Sequence, residues 1–222
     1  MNIGKPSNIP FEKHEVEEYE RKRYRGIDQK LVHGREGRLL RKILHKIGHV
    51  PLLVLDVPCG YGRFSDVLLD KGFSLVSSDI SFHMVERASE KGGQPHSRFL
   101  SGIVADAKQG LPFEKDAFPL LLSMRYFHHI HKKEEREFVL KEFSRATSGW
   151  VILSYYQKNL LHILQRKLRR NIKRSKTRIK MIPRKEFCEE VEGAWLRVVK
   201  IFPLFTGVHA HHIALLKKMG SS

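Results

Sequence analysis

Asp56, Asp79 and Asp106 each stand directly behind an apolar run: PLLVLD, FSLVSSD and FLSGIVAD. A fourth run, AFPLLLSM, is followed by Arg125, Tyr126, His128 and His129. Acids are seldom fully buried without partners, so packing is a poor reason for three of them in such places. One alone would more often be a helix cap. PCGYG follows Asp56, and its Gly60 and Gly62 let the backbone turn sharply and approach a ligand. Asp79 can accept two hydrogen bonds from a ribose diol, as an acid at that strand end does in dinucleotide folds. Asp106 can accept from an exocyclic amine. Together the three describe a nucleoside site, adenosine first among its candidate occupants. Two other readings of the glycine loop are a plain tight turn and a nicotinamide-dinucleotide cradle. The cradle wants G-x-G-x-x-G, and Ser65 holds the third glycine position.

These residues need a scaffold that brings strand ends together, and the order of elements supplies one. EKHEVEEYERKRYR begins acidic and turns basic, which suits a helix dipole. REGRLLRKILHKIG puts Leu39, Leu40, Ile43 and Leu44 on one side of a second helix, with Gly48 ending it. An alternation follows. PLLVLDV reads as a strand buried on both faces. GRFSDVLLDKG reads as a helix with Phe64, Val67 and Leu68 inward and Gly72 beyond its end. FSLVSSD is a strand, and SFHMVERASEKGG a helix capped at Ser81 with Met84, Val85 and Ala88 inward. FLSGIVADA and AFPLLLSM are strands, EEREFVLKEFSRATSG a helix and WVILSYY a strand. Such alternation indicates a parallel, doubly wound sheet, whose ligands bind beyond the carboxyl ends of the strands. After Tyr156 the rhythm breaks into a basic segment with Leu161, Leu164, Leu168 and Ile172 as a helical stripe. A short helix opened by Pro183 and two strand-like runs, AWLRVVKIF and HAHHIALLKK, close the chain.

Composition narrows the class. The 222 residues suffice for one large domain with a full core, and an apolar share of 41% fits a globular protein. No run approaches the ~18 apolar residues of a membrane span. The polar opening MNIGKPSNIPFEKHEVEEYE has no apolar core of a secretory signal. Cys59 and Cys188 sit in no metal or disulfide pattern, which agrees with a reducing, cytoplasmic compartment. Lysine and arginine total 41 against 24 acids, a formal charge of +17. That excess suits a polyanionic partner, although some proteins are simply basic.

The segments VLDVPCGYGRF, VSSDIS, VADAKQGLPF and SMRYFHHI resemble, in this order, the motif series of class I S-adenosylmethionine-dependent methyltransferases. The likeness is to the small-molecule group called methyltransferase type 11, and it covers about residues 36–156. DISFHMVERA is similar to that family's second motif, and LKEFSRATSGWVILSYY to its fifth strand and the helix leading into it. The resemblance implies an α/β fold: a Rossmann-like, seven-stranded, mostly parallel sheet with helices on both faces and an antiparallel last strand. It implies one domain over 1–222, with an N-terminal helical lid region at 1–47 and a cofactor-binding core at 48–156. A basic helical insert at 157–185 and a closing helix and hairpin at 186–222 complete it. It further implies S-adenosyl-L-methionine as cofactor. Asp56 would orient the loop and the methionine amino group; Pro58, Gly60 and Gly62 would line the methionine and sugar. Asp79 would hold the ribose hydroxyls, Ser81 and Met84 would flank the adenine, and Asp106 with Ala107 would meet the adenine amine. Met124, ending the fourth strand, would close the cofactor side. Two departures stand out: Pro58 replaces the family's first loop glycine, and Phe118–Pro119 replaces an early fourth-strand acid. Pro119 predicts a bulge or an altered strand start.

The acceptor side follows the fourth strand. Arg125 and Tyr126 face the same mouth and can hold an acidic acceptor. His128 or His129 could serve as a general base, since histidine titrates near neutrality; either could equally pack or cap a helix start. The N-P-P-Y pattern of adenine-N6 methyltransferases is lacking. Tyr19 and Tyr24 lie where related enzymes fold a lid over the cofactor, or on an ordinary surface helix. His209, His211 and His212 read as the polar face of a last strand rather than as metal ligands, and no metal is expected. Residues 158–185 hold twelve lysines and arginines. That segment can lie on an anionic membrane surface, grip RNA phosphates, or pack its stripe on the core as a lid. The expected function is methyl transfer to O, N or C of a small-molecule or lipid-like acceptor. An RNA acceptor and a non-catalytic binding module are the alternatives. No obligate protein partner is implied, and the basic segment allows a peripheral place at the inner membrane surface.

Overall fold

The computed structural model describes residues 12–23, 27–48, 53–93, 98–158, 179–205 and 210–220. Two helices lead, α1 (Lys13–Arg23) and α2 (Ile27–Ile47). They are followed by β1 (Leu53–Asp56), α3 (Ser65–Leu69), β2 (Ser74–Asp79), α4 (Phe82–Gly92) and β3 (Phe99–Val104). Then come β4 (Phe118–Ser123), a 3-10 turn at Phe127–His129, α5 (Lys133–Ala146) and β5 (Thr147–Tyr156). The helix α6 (Arg184–Glu192) precedes the hairpin of β6 (Leu196–Pro203) and β7 (His211–Lys218).

The seven strands form one sheet in the order β3-β2-β1-β4-β5-β7-β6. The first five pair in parallel, and β7 runs antiparallel to both neighbours. The order reverses direction between β1 and β4, the place where doubly wound sheets open a crevice. The expected seven-stranded fold is therefore the observed one. Side chains alternate across the central strands. Leu55, Leu121, Val151 and Leu153 join one core cluster with Val139, Leu140 and Phe143 of α5. Val54, Leu120, Leu122 and Ile152 join the other with Leu40 and Ile43 of α2 and Leu68 of α3. Two-sided burial is why these strands read as continuous apolar runs. The edge strand β3 alternates instead, with Leu100 and Val104 exposed.

Three local expectations are refined. The helix after β1 is only five residues long, because the loop keeps turning to Phe64 before helical geometry begins. Helix α2 starts at Ile27, upstream of the stripe that announced it. Pro119 does disturb β4: its register with β5 shifts between Phe118 and Leu120, as a residue without a backbone donor requires. Pro183 is the residue before the first turn of α6. The stripe Leu161, Leu164, Leu168 and Ile172, together with Tyr24 and His209, lies outside the described residues.

Candidate functional site

The loop after β1 is built around one carboxylate. Gly60 (φ 55°) donates its N–H to Oδ2 of Asp79 at 3.0 Å. Ser81 donates its N–H to Oδ1 of the same residue at 3.0 Å. Cys59 N–H bonds the Ser78 carbonyl at 2.8 Å, locking the loop to the end of β2. Gly62 (φ 73°) has a second constraint: a Cβ there would stand 3.0 Å from Cα of Ala88 in α4 and from Oγ of Ser65. Gly60 has open space where a Cβ would be, so backbone conformation alone demands glycine. The Val57–Pro58 peptide is cis.

Asp56 is buried at the end of β1, and its Oδ2 has no hydrogen-bond partner. Burial, reinforced by the charge of Asp79, pushes its carboxyl well above the ordinary value. Asp79 is raised as well, first by burial; the N–H groups of Ser81, Gly60 and Ile80 oppose that shift, and Asp106 adds to it. Asp106 follows β3, half-buried, with Oδ1 accepting from Lys108 N–H at 2.9 Å. None of the three acids forms an ion pair among the described residues. Three carboxylates at adjacent strand ends without a protein cation suit a ligand that brings donors and positive charge. Ser81 occupies the N-cap position of α4, although its hydroxyl makes no capping bond. Met84 is buried against Val16 and Tyr61, which sets it beneath α1. Helix α1 is tied down by Glu20, which pairs with Arg87 (3.0 Å) and with Lys91 of α4. Tyr19 meets Tyr61 edge-on at 6.1 Å. Ala107 and Met124 are buried in the two core clusters. Cys59 is buried, and burial followed by the charges of Asp79 and Asp56 pushes its thiol well up, so it packs rather than reacts.

Beyond β4 a second cluster forms. Arg125 (φ 60°) donates its N–H to Ser154 Oγ at 2.6 Å and its Nε to Glu36 Oε1 at 2.7 Å. Glu36 of α2 is fully buried and also takes Arg63 Nη2 at 3.0 Å. His211 Nδ1 lies 3.5 Å from Glu36 Oε1. Arg63 Nε donates to His33 Nδ1 at 3.0 Å. Burial, then the charge of Arg63, lowers the His33 pKa, so its ring is neutral and accepts. Burial pulls the Arg125 guanidinium down, and the charge and hydrogen bond of Glu36 more than reverse this. His128 is buried with its ring 4.1 Å from His129 and 4.6 Å from Tyr156. Tyr156 in turn stacks on His211 at 4.9 Å. Tyr126 is mostly buried, and burial followed by the charges of Asp106 and Asp79 raises its hydroxyl pKa.

The acids and the mouth residues therefore converge on one edge of the sheet. Arg125 gives its Nε to Glu36, which fixes one side of its guanidinium. One reading changes. His211 is fully buried, not part of a polar strand face, because α2 covers the start of β7 and supplies Glu36 as its neighbour. Glu36, Arg63 and His33 were not singled out in the sequence. They lie on a surface-like charged helix and beside a glycine, and only a buried Glu at an otherwise apolar stripe would have betrayed them. No group of three or more metal-binding side chains occurs among the described residues.

Residues 55–153 match the model of a family described as "Methyltransferase domain". The chain is 29% identical over 122 residues to a probable 18S rRNA (guanine-N(7))-methyltransferase of Dictyostelium discoideum, a match covering 50% of this chain and 41% of that one. It is 32% identical over 119 residues to the 18S rRNA (guanine-N(7))-methyltransferase of Bos taurus, covering 54% and 39%. The aligned part is thus about two fifths of the length of these relatives. Among solved structures, the magnesium protoporphyrin IX methyltransferase (ChlM) of Synechocystis PCC 6803 with bound SAH superposes with a TM-score of 0.74. It is 18% identical, and the match covers 91% of this chain and 93% of that one. PH0226 protein of Pyrococcus horikoshii OT3 follows with a TM-score of 0.65 at 23% identity, covering 81% and 87%. These two likenesses concern the fold. Strand order and domain match agree: residues 55–153 match a methyltransferase domain and lie on a Rossmann-like, seven-stranded sheet of the kind these solved methyltransferase structures share.

Proposed function

We propose that the protein transfers a methyl group from S-adenosyl-L-methionine to a small-molecule or lipid-like acceptor. The observation that carries this is the Asp79 carboxylate, held by Gly60 and Ser81 beside Asp56 and Asp106, with no protein cation to neutralise the three. The residues fit that cofactor. Asp56 offers a buried oxygen without a partner to the methionine ammonium. Asp79 has both oxygens oriented and lone pairs left for a ribose diol. Asp106 and the Ala107 backbone would meet the adenine amine, with Ser81 and Met84 along the ring. Pro58, Gly60, Gly62 and Met124 would line the methionine and sugar. When bound, the cofactor supplies an already activated methyl on a sulfonium, so the protein's share is chiefly alignment. Helices α1 and α2 would cover the mouth and exclude water. Glu36 holds Arg125 and Arg63 in place, and the acceptor would be oriented by Arg125, Tyr126, His128 and Tyr156, with His211 stacked behind Tyr156. His128 or His129 would take the proton when the acceptor must lose one.

A second reading, an RNA acceptor, is favoured by the charge of +17 and by the twelve lysines and arginines in 158–185. The matched relatives carry RNA-methyltransferase names. The test is incubation with methyl-labelled cofactor and fractionated cell extract. Label in the small-molecule or lipid fraction supports the proposal, and label in RNA transfers it to the second reading. No label anywhere, with cofactor binding intact, leaves a non-catalytic binding module.

A further inference from the structure

At the opposite edge of the sheet, where β4 and β5 begin and β7 ends, lies a cavity of about 430 Å³. Asp56 pairs with Leu122 and Leu122 with Ile152, five residues beyond Thr147 of β5, so the cavity lies roughly 16 Å along the strands from Asp56, and farther from Asp79 and Asp106. Lys115, Lys141, Arg145 and Lys218 line it with Trp195 and Met219. Two of these cations are already engaged. Arg145 binds Glu142 (2.9 Å) and the carbonyls of Leu111 and Phe113, while Lys218 binds Asp116 and the Thr147 carbonyl. Lys115 and Lys141 make no ion pair among the described residues. The cavity thus carries a surplus of positive charge that the protein's own acids do not cancel.

Trp195 supplies the second half of a site. It is 66% exposed, a large apolar ring left in water. Its backbone sits at φ 59°, in the left-handed region that glycine or asparagine would occupy at little cost. It is held there between the Glu192 carbonyl and Met219 N–H. A strained, solvent-facing aromatic beside unpaired lysines is poor packing and good ligand chemistry. Trp150, by contrast, already has Lys217 over its ring at 4.3 Å. No such contact covers Trp195 among the described residues.

We propose that this cavity binds a nucleotide unit, with the base against the Trp195 ring and the phosphate between Lys115 and Lys141. Its volume falls within the range of small-ligand pockets. A planar base on a tryptophan and a phosphate on lysines are the two interactions by which single nucleotides are held without sequence readout. The unit is either a free mononucleotide or one residue of a single strand, and the chemistry is the same. Because the site is remote from the strand-end acids, it serves as a second binding site whatever the methyl acceptor is.

The test is titration of the whole protein with UMP, with a uridine decamer RNA and with inorganic phosphate. It is run at saturating SAH so that the adenosine-type cleft is filled, and read by tryptophan fluorescence and calorimetry. UMP should quench fluorescence, and Trp195→Phe should remove the quench while Trp150 emission stays. Trp195→Ala should weaken UMP by at least ~5-fold, the scale of one lost base stack. The paired variant Lys115→Glu, Lys141→Glu should weaken it by at least ~10-fold, with SAH binding unchanged as the check on folding. Decamer binding far tighter than UMP and steeply salt-dependent identifies a strand; equal affinities identify a free nucleotide. The proposal is overturned if neither UMP nor the decamer binds at ~10 mM, if inorganic phosphate binds as well as UMP, or if the variants change nothing. Failure of SAH itself to bind would count against the cofactor proposal alone.

Discussion

At the residue scale the strand-end acids make the sharpest predictions. Replacing Asp79 by Ala removes the acceptor of two backbone N–H bonds and of the proposed ribose contacts. Hydrogen bonds to charged groups contribute about 1.5–3 kcal/mol each. Calorimetry should therefore show cofactor affinity down by at least ~10-fold in Asp79→Ala, and unchanged affinity would sink the assignment. Asp56 gives a pH signature. Burial, then the Asp79 charge, raises its pKa in the folded protein, so folding favours the protonated acid. That contribution is complete below the unfolded value of about 3.9 and is lost as pH rises through the raised folded value. The ligand-free protein should lose melting temperature over that rise, and Asp56→Asn should flatten the loss. A cationic ligand reverses the balance, so S-adenosyl-L-methionine should bind more tightly as pH rises over the same interval, and less steeply in Asp56→Asn. An unaltered pH profile in the variant would refute this account of Asp56.

At the element scale two buried ion clusters fix helices to the sheet. Arg136 of α5 is fully buried, with Nε on Glu190 at 2.9 Å and Nη2 on Glu186 at 2.8 Å. Its Nη1 donates to the His131 carbonyl at 3.1 Å, and the two glutamates clamp α6 to α5. Removing one partner of a buried pair leaves an uncompensated charge and costs about 3–5 kcal/mol. Glu190→Leu should destabilise by about that much in urea unfolding, and the double variant Arg136→Met, Glu190→Leu should recover most of it. If the losses simply add, the clamp is not a coupled pair. Glu36 plays the same role for α2, with two arginines in place of one. Glu36→Gln should slow methyl transfer to any acceptor more than it weakens cofactor binding, because it releases Arg125 and Arg63 at the mouth while leaving the acids after β1, β2 and β3 untouched. Equal effects on both steps would place Glu36 in general folding instead.

At the scale of the whole molecule, the class of fold was legible in the order of elements. Apolar runs of strand length alternating with amphipathic helices specify a doubly wound sheet, and burial on both faces of β1, β4 and β5 wrote continuous apolar stretches into the chain. Asp56, Asp79 and Asp106 were legible for a related reason: parallel strands all end on the same edge, so residues after successive strands must meet. Gly60 and Gly62 announced a tight loop because few other residues accept positive φ. What the chain order could not reveal is which distant segments press on that edge. Glu36 and His211 are 175 positions apart in sequence, and each reads locally as a surface residue. The cavity with Trp195 likewise joins the end of α5, the turn before β6 and the end of β7. Periodicity reports the environment of neighbours along one element, not the partners of a side chain across the fold. Sequence alone determined the sheet and the acids at its carboxyl edge; only tertiary structure decided that α2 sets a buried carboxylate between Arg63, Arg125 and His211, because burying a charge depends on which opposite charges arrive beside it from elsewhere in the chain.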